Sequence, residues 1–130
     1  MCYVLENERI YGPDYTFKKS DISQFEHYYL KVIVKGVCLS DGQLTVSMSG
    51  TRNGEPLQNN GENFWMGHDL EEMLITTADS ITGIGSSYFA FEIPDFIKET
   101  DELKISLWNR NGKRILITSF EIYVMANNWN

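Results

Sequence analysis

The sequence predicts an all-β protein, namely an antiparallel β-sandwich of jelly-roll type. Apolar and polar side chains alternate along most of the chain, and turn-forming residue pairs separate the alternating segments. A period of two is typical of strands with one buried face, and short strands at regular spacing indicate a sandwich or a barrel. The 130 residues, 42% of them hydrophobic, are enough for one core. We therefore expect residues 1–130 to form a single β-sandwich domain, either alone or as a piece of a longer protein.

Five segments alternate most clearly, and each predicts a strand. One of them, Tyr88–Ile93, is apolar on both faces apart from Glu92, which favours a central position in its sheet. The other four are expected to bury one face and expose the other. They are Leu30–Lys35, Leu44–Ser49, Leu103–Leu107 and Phe120–Val124.

Three residue pairs predict tight turns between the strands. Asp41-Gly42, Asn53-Gly54 and Asn111-Gly112 supply the positive φ angles that tight hairpins need. Only Pro94–Thr100 has a helical pattern, so we expect one short helical turn near residues 94–100.

The charge of the chain argues against a nucleic-acid partner. Its formal net charge is −7, with 18 acidic and 11 basic residues. Nucleic-acid binding requires clustered Lys and Arg side chains, whereas the only adjacent basic pairs here are Lys18-Lys19 and Lys113-Arg114. No apolar run approaches the ~20 residues of a membrane span. We expect neither nucleic-acid binding nor membrane insertion.

Catalytic motifs are not evident in the sequence. There is no G-x-S-x-G motif, and His27 and His68 lie in no pattern typical of nucleophilic catalysis or metal binding. Adjacent carboxylates on a strand point to opposite faces, so they cannot serve one hydrolytic site. The carboxylate pairs are Glu6/Glu8, which share a face, and the adjacent Glu71/Glu72 and Asp101/Glu102. We predict no enzymatic activity. A further alternative is a glycan-active hydrolase, whose two carboxylates would have to come from strands that are distant in sequence.

The two cysteines fit neither a metal site nor a redox motif. Cys38 lies in an apolar run and is expected to pack as a small core residue, while its pairing with Cys2 is left open. Residues Met1–Glu6 show no signal peptide. The chain is therefore expected to be either cytoplasmic or a fragment of an exported protein, and its strand-like beginning favours the fragment.

Aromatic rings beside amide side chains are the candidate ligand-binding feature. Trp65 follows the polar segment Gln58–Asn63, and a ring can cover the apolar face of a sugar while amides bond its hydroxyls. Alternation does not decide whether Trp65 or its neighbours point inward. Trp108 falls on the face opposite Leu103, Ile105 and Leu107, either as a second platform or as rim packing. The predicted ligand-binding residues are Asn59, Asn60, Glu62, Asn63, Trp65 and Trp108.

A resemblance to a known group of domains begins at Phe91–Asn109. There the chain reads FEIPDFIKETDELKISLWN, and Ile115–Ile122 follows as a last strand, ILITSFEI. These segments resemble carbohydrate-binding-module-like, or galactose-binding-like, jelly-roll domains of surface and membrane proteins of Bacteroidetes-type bacteria. Their pattern has "I-P", then "D-x-L-K-x-Y-x-W-N", then "I-x-I-D-D-F-x-I". The match covers about the last forty residues well and the rest by strand pattern.

The resemblance implies an accessory domain that binds carbohydrate and is exported or exposed at the cell surface. Such domains commonly hold a structural calcium between the first and last strands. Here Thr118-Ser119 replaces two aspartates of the pattern, and hydroxyls are poor ligands for a hard cation, so we predict no cofactor. The alternative is a structural domain that packs against a parent protein or oligomerises.

Overall fold

The computed structural model describes residues 3–7, 9–22 and 28–126, which form strands, one α-helix and one 3₁₀ helix. The strands are β1 (Tyr3–Leu5), β2 (Tyr11–Lys18), β3 (Tyr28–Cys38), β4 (Leu44–Arg52), β5 (Glu55–Pro56), β6 (Gln58–Asn59), β7 (Glu62–Asn63), β8 (Trp65–Asp69), β9 (Gly85–Phe91), β10 (Glu102–Asn109) and β11 (Ile115–Ala126). The 3₁₀ helix is Lys19–Asp21, and α1 is Glu71–Thr76.

The strands form two antiparallel sheets with jelly-roll connectivity. Sheet 1 has the order β1-β11-β3-β9, and sheet 2 has the order β2-β10-β4, with β5 and β8 both paired to the far side of β4. Strands β1 to β4 alternate between the sheets, as do β8 to β11, which is the double Greek-key arrangement of a jelly roll. A small separate hairpin, β6–β7, extends from sheet 2. The predicted all-β sandwich of jelly-roll type is confirmed.

The core lies between the two sheets, where alternate side chains meet. Leu103, Ile105 and Leu107 of β10 are fully buried from sheet 2, and Val32 and Val34 of β3 are at most 1% exposed from sheet 1. Because successive side chains of a strand point to opposite faces, residues 104, 106 and 108 lie on the outer face of sheet 2. The predicted alternation in this segment is therefore confirmed.

The predicted central position of Tyr88–Ile93 is wrong. The strand in this region, β9, is at the edge of sheet 1, and Tyr88 is 56% exposed on its outer face. Phe91 belongs to the core, and Phe89 and Ile93 pack against it. The ammonium of Lys31 lies 5.2 Å from the centre of the Tyr88 ring, so the second apolar face contacts a cation and water instead of another layer.

One of the three turn predictions holds as a hairpin. Asn53-Gly54 joins β4 to β5 with φ angles of 53° and 82°, which is the positive pair of a type I′ turn. Asp41-Gly42 and Asn111-Gly112 are turns, but each connects strands of different sheets, β3 to β4 and β10 to β11. Two-residue turn signals identify a reversal of the chain without identifying the partner strand.

The turn predicted near residues 94–100 is present, and one helix that was not predicted lies earlier in the chain. Residues 94–101 form two tight turns, closed by Ile97 N–H to Pro94 O (3.2 Å) and Asp101 N–H to Lys98 O (2.9 Å). The additional element is the short helix α1, which the strand-dominated pattern did not predict. Its buried Leu74 contacts β9 at Gly85, where an added Cβ would lie 1.9 Å from the Leu74 carbonyl oxygen.

Four residues that the sequence suggested as candidates lie outside the described residues, namely Cys2, Glu8, His27 and Trp129. Cys38 is buried and free, and burial, followed by the charges of Glu71 and Asp41, raises the pKa of its thiol to about 11. Neither helix of the described ranges has the length and apolarity needed to cross a membrane.

Truncating a side chain on the inner face of β10 should destabilise the protein far more than truncating one on the outer face. Ile105→Ala should lower the free energy of unfolding by about 2–5 kcal/mol, since it leaves a cavity at a fully buried position. Lys104→Ala, on the exposed side of the same strand, should change it by less than about 1 kcal/mol. Urea denaturation measures both, and similar losses for the two variants would contradict this assignment of faces.

Candidate ligand-binding site

Trp65 lies on the outer face of sheet 2. Its strand β8 pairs with β4, and Trp65 is opposite Ser49, whose neighbour Met48 points into the core. The Trp65 side chain is 52% exposed, while Phe64 is buried. The question that alternation left open is thus resolved, with Trp65 outside and Phe64 inside.

A glycine gives the Trp65 ring its position along the strand. Gly67 is two residues further on the same face, and a Cβ added there would come within 2.2 Å of the ring atom Cη2. The ring therefore lies across Gly67, which a larger residue would prevent. Packing against the backbone restricts the indole while leaving about half of the side chain in contact with solvent.

The hairpin β6–β7 holds the polar side chains next to this ring. Its turn is Asn60-Gly61, with φ angles of 55° and 83°, again a type I′ pair. Asn59 is opposite Glu62, and Gln58 is opposite Asn63. The Gln58 amide donates a hydrogen bond to the Asn63 side-chain oxygen, which fixes the orientation of the Asn63 amide.

The ring and the hairpin border one cavity of about 350 Å³. Four of the six predicted ligand-binding residues line it, namely Asn59, Glu62, Asn63 and Trp65. Asn60 lies at the tip of the hairpin and is not part of the lining. The lining also contains four residues that were not predicted, Phe64, Met66, Pro94 and Phe96.

The opposite wall comes from the connection between β9 and β10. Phe96 packs edge-on against Phe64, with ring centres 5.2 Å apart and an interplanar angle of 84°. Pro94 precedes it in the same connection. A segment thirty residues away in sequence thus completes the cavity, and no local pattern in the sequence indicates this contact.

An ion pair fixes this wall. The Asp101 carboxylate, which is fully buried, accepts two hydrogen bonds of 2.8 Å from the Arg52 guanidinium and one of 2.8 Å from Lys98 N–H. Arg52 also donates to the Phe96 carbonyl oxygen (3.2 Å). The hydrogen bonds from Arg52 hold the pKa of Asp101 below its ordinary value. Asp101 is therefore a structural residue that anchors Phe96 to β4.

Trp108 occupies a different part of the same face. It lies on the outer side of β10 and stacks on Tyr11 of β2, with ring centres 6.3 Å apart and an interplanar angle of 13°. Tyr11 is 61% exposed, and Trp108 is half-buried. The structure therefore separates Trp108 from the cavity beside Trp65.

The acidic side chains near the site are mostly paired. Asp69 and Glu71 both accept hydrogen bonds from Arg110, Glu71 at 2.6 Å. Glu62 is the single carboxylate among the described lining residues of the cavity. In the described part of the chain, no group of three or more His, Cys, Asp or Glu side chains is placed to hold a metal ion. The geometry thus provides a ring, amides and one carboxylate.

Neither a search of protein-family models nor a search of curated proteins gives a match to this chain.

Replacing Asp101 tests the anchoring role of its carboxylate. Asp101→Asn removes the charge that holds Arg52. Because the Arg52 side chain is partly exposed to solvent, we expect a loss of about 1.5–3 kcal/mol in the free energy of unfolding at pH 7. Because the folded pKa of Asp101 is lowered, its stabilising contribution is complete above the unfolded pKa of about 3.9 and disappears as the pH falls through the folded pKa.

The measurement is urea denaturation of both proteins at several pH values between neutral and acid. The difference between wild type and Asp101→Asn should be largest at neutral pH and shrink below about pH 4. A difference that is independent of pH would mean that the carboxylate charge does not stabilise the fold.

Proposed function

We propose that this domain is a non-catalytic carbohydrate-binding module of an exported or surface-exposed protein. The observation that supports this proposal is the half-exposed ring of Trp65 beside a cavity lined by Asn59, Glu62 and Asn63. The resemblance of Phe91–Asn109 to carbohydrate-binding-module-like domains points in the same direction. No cofactor is needed for this activity.

The side chains of the cavity match the two surfaces of a sugar ring. An indole face attracts the apolar C–H face of a pyranose, and amides and carboxylates bond to the hydroxyls around its edge. The Asn63 side-chain oxygen already accepts a hydrogen bond from Gln58, which orients its NH₂ group as a donor. Glu62 adds an acceptor for two neighbouring hydroxyls.

The carboxylates favour binding over hydrolysis. Glycoside hydrolysis requires two carboxyl groups that face each other across the scissile bond. Glu62 is alone among the described lining residues, while Asp101 and Glu71 are engaged by arginines. This distribution supports a binding role for the cavity.

The area of the ring sets the expected affinity. A contact of about 100 Å² contributes roughly 2.5 kcal/mol at ~25 cal/mol/Å², and association costs several kcal/mol. We expect dissociation constants from the millimolar to the high micromolar range. Weak binding of this kind becomes effective when several modules act together or when a module is tethered to another domain, which agrees with an accessory role.

An interaction domain is the second candidate. The outer face of sheet 1 exposes Tyr88 (56%), Tyr123 (44%) and Met125 (36%), and an exposed apolar patch can bind a parent protein or a second copy. Lys31 and Glu121 interrupt this patch, which favours it less than the Trp65 cavity. Sedimentation velocity of wild type and Tyr88→Ala distinguishes an oligomer that depends on this face.

Affinity electrophoresis against soluble glucans, xylans, mannans and galactans tests the proposed function. Wild type should be retarded by at least one of these polysaccharides, and Trp65→Ala should lose at least about tenfold in affinity because it removes the ring contact. Tyr88→Ala is the matched control, since it removes an equally exposed ring from sheet 1, and it should bind like wild type.

Gly67→Ala provides a second, more conservative variant. The added methyl group displaces the Trp65 ring without removing it, so binding should weaken while the thermal midpoint changes little. If no polysaccharide of the panel retards the wild-type domain, the proposed function is wrong.

A further inference from the structure

The geometry points to an extended, neutral oligosaccharide chain as the ligand, bound across the outer face of sheet 2. We infer that Tyr11 and Trp108 form a second aromatic subsite on this face, in addition to the Trp65 cavity. This inference rests on the proposed function and deepens it, because a single ring would suit one sugar unit, whereas two separated rings suit a chain.

Strand register fixes the separation of the two subsites. Trp65 is opposite Ser49, while Trp108 is opposite Thr45 on the same strand β4. The two tryptophans are thus four residues apart along the strands and two strands apart across the sheet, a Cα separation of about 17 Å. The Trp65 ring extends over Gly67, toward the register of Trp108. An oligosaccharide of several units spans this distance.

Polar side chains occupy the surface between the rings. Ser47 and Ser106 lie side by side on β4 and β10, with their hydroxyl oxygens 3.2 Å apart. Ser47 and Thr45 are at most 7% exposed, and the Arg110–Asp69 pair lies over Thr45, whose hydroxyl bonds to both side chains. The groups that face a ligand here are therefore Ser106 and the Arg110–Asp69 pair, which can exchange hydrogen bonds with sugar hydroxyls. Ser49 follows on β4 and borders a depression of about 150 Å³ on the side away from Trp108. The depression is lined by Thr16, Ser49, Gly50, Thr51, Glu102, Leu103 and Lys104.

The charges around this path favour a neutral chain. Lys104 lies 3.6 Å from Asp14, and Arg110 pairs with Asp69 and Glu71. The basic groups of these pairs are thus already matched by carboxylates, and the net charge of −7 repels a polyanion. A ligand rich in carboxylates, sulfates or phosphates would find little compensation here.

The distribution of apolar groups favours a sugar chain over a protein partner. Stable protein interfaces concentrate apolar side chains at their centre and polar ones at the rim. On this face the order is reversed, since Trp65 and the Tyr11–Trp108 pair flank a polar centre formed by Ser106 and the Arg110–Asp69 pair. A glycan needs such an order, with stacking platforms separated by hydrogen-bonding groups.

The experiment is a length series of neutral gluco-, xylo- and manno-oligosaccharides, from disaccharide to octasaccharide, measured by isothermal titration calorimetry. For wild type, affinity should rise by about tenfold or more with length until both rings are covered, and then level off. Trp108→Ala should bind the long chains no better than the short ones. Trp65→Ala should weaken the binding of all lengths.

If Trp108→Ala folds poorly, Tyr11→Ala replaces it in the length series. Tyr11 is largely exposed on the edge strand β2, so its truncation costs little stability, and it should also abolish the gain with length. If chains bind with an affinity that is independent of length, or if both subsite variants keep the gain, the second subsite is refuted while the proposed function stands.

Two other outcomes would also overturn the inference. If wild type binds no oligosaccharide and no polysaccharide, both the proposed function and the chain-binding face are wrong. If sedimentation velocity shows a dimer that Trp108→Ala dissociates, this face is a contact between two copies of the chain.

Discussion

The register between β4 and β10 is the constraint on which both the core and the proposed binding face depend. The two strands pair over eight consecutive residues in the middle of sheet 2. This register places Ile105 beside Met48 in the core and Ser106 beside Ser47 on the outside. A slip of one residue would exchange the two faces of a strand, exposing leucines and burying serines. The stability of the core therefore also fixes the positions of the outer side chains.

A second constraint links this register to the cavity wall. Arg52 is the last residue of β4, and Asp101 directly precedes β10, so their ion pair closes the end of the paired strands. The same guanidinium binds the Phe96 carbonyl oxygen, and Phe96 packs on Phe64 beside Trp65. Taking a carboxylate out of water is costly unless it is well paired, and the three hydrogen bonds at Asp101 offset this cost. Strand pairing, the turns at residues 94–101 and the cavity thus form one connected structure.

The sequence predicted those features that depend on local alternation and missed those that depend on distant contacts. The two-sheet fold, the inward residues of β10 and the grouping of Asn59, Glu62 and Asn63 with Trp65 follow from spacing along the chain. The edge position of β9, the helix α1 and the contribution of Phe96 do not, because each is decided by segments far away in sequence. Asn60 illustrates the limit, because its residue type suggested a ligand-binding role, but it lies in the turn of the hairpin and does not line the cavity.

The outer face of sheet 2 differs from an ordinary solvated strand surface in the outward residues of β4. Folding requires only that the inward residues of β4 be apolar, and most polar residues satisfy the outward positions equally well. Here the outward positions of β4 are Thr45, Ser47 and Ser49, and the first two are at most 7% exposed although they lie outside the core. The Arg110–Asp69 pair covers Thr45, whose hydroxyl bonds to both side chains. Small hydroxyls at these positions let Arg110 and Asp69 lie close to the sheet, so that the outer face carries a second layer of polar side chains between its exposed rings. The proposed ligand would contact this layer and not the backbone of β4.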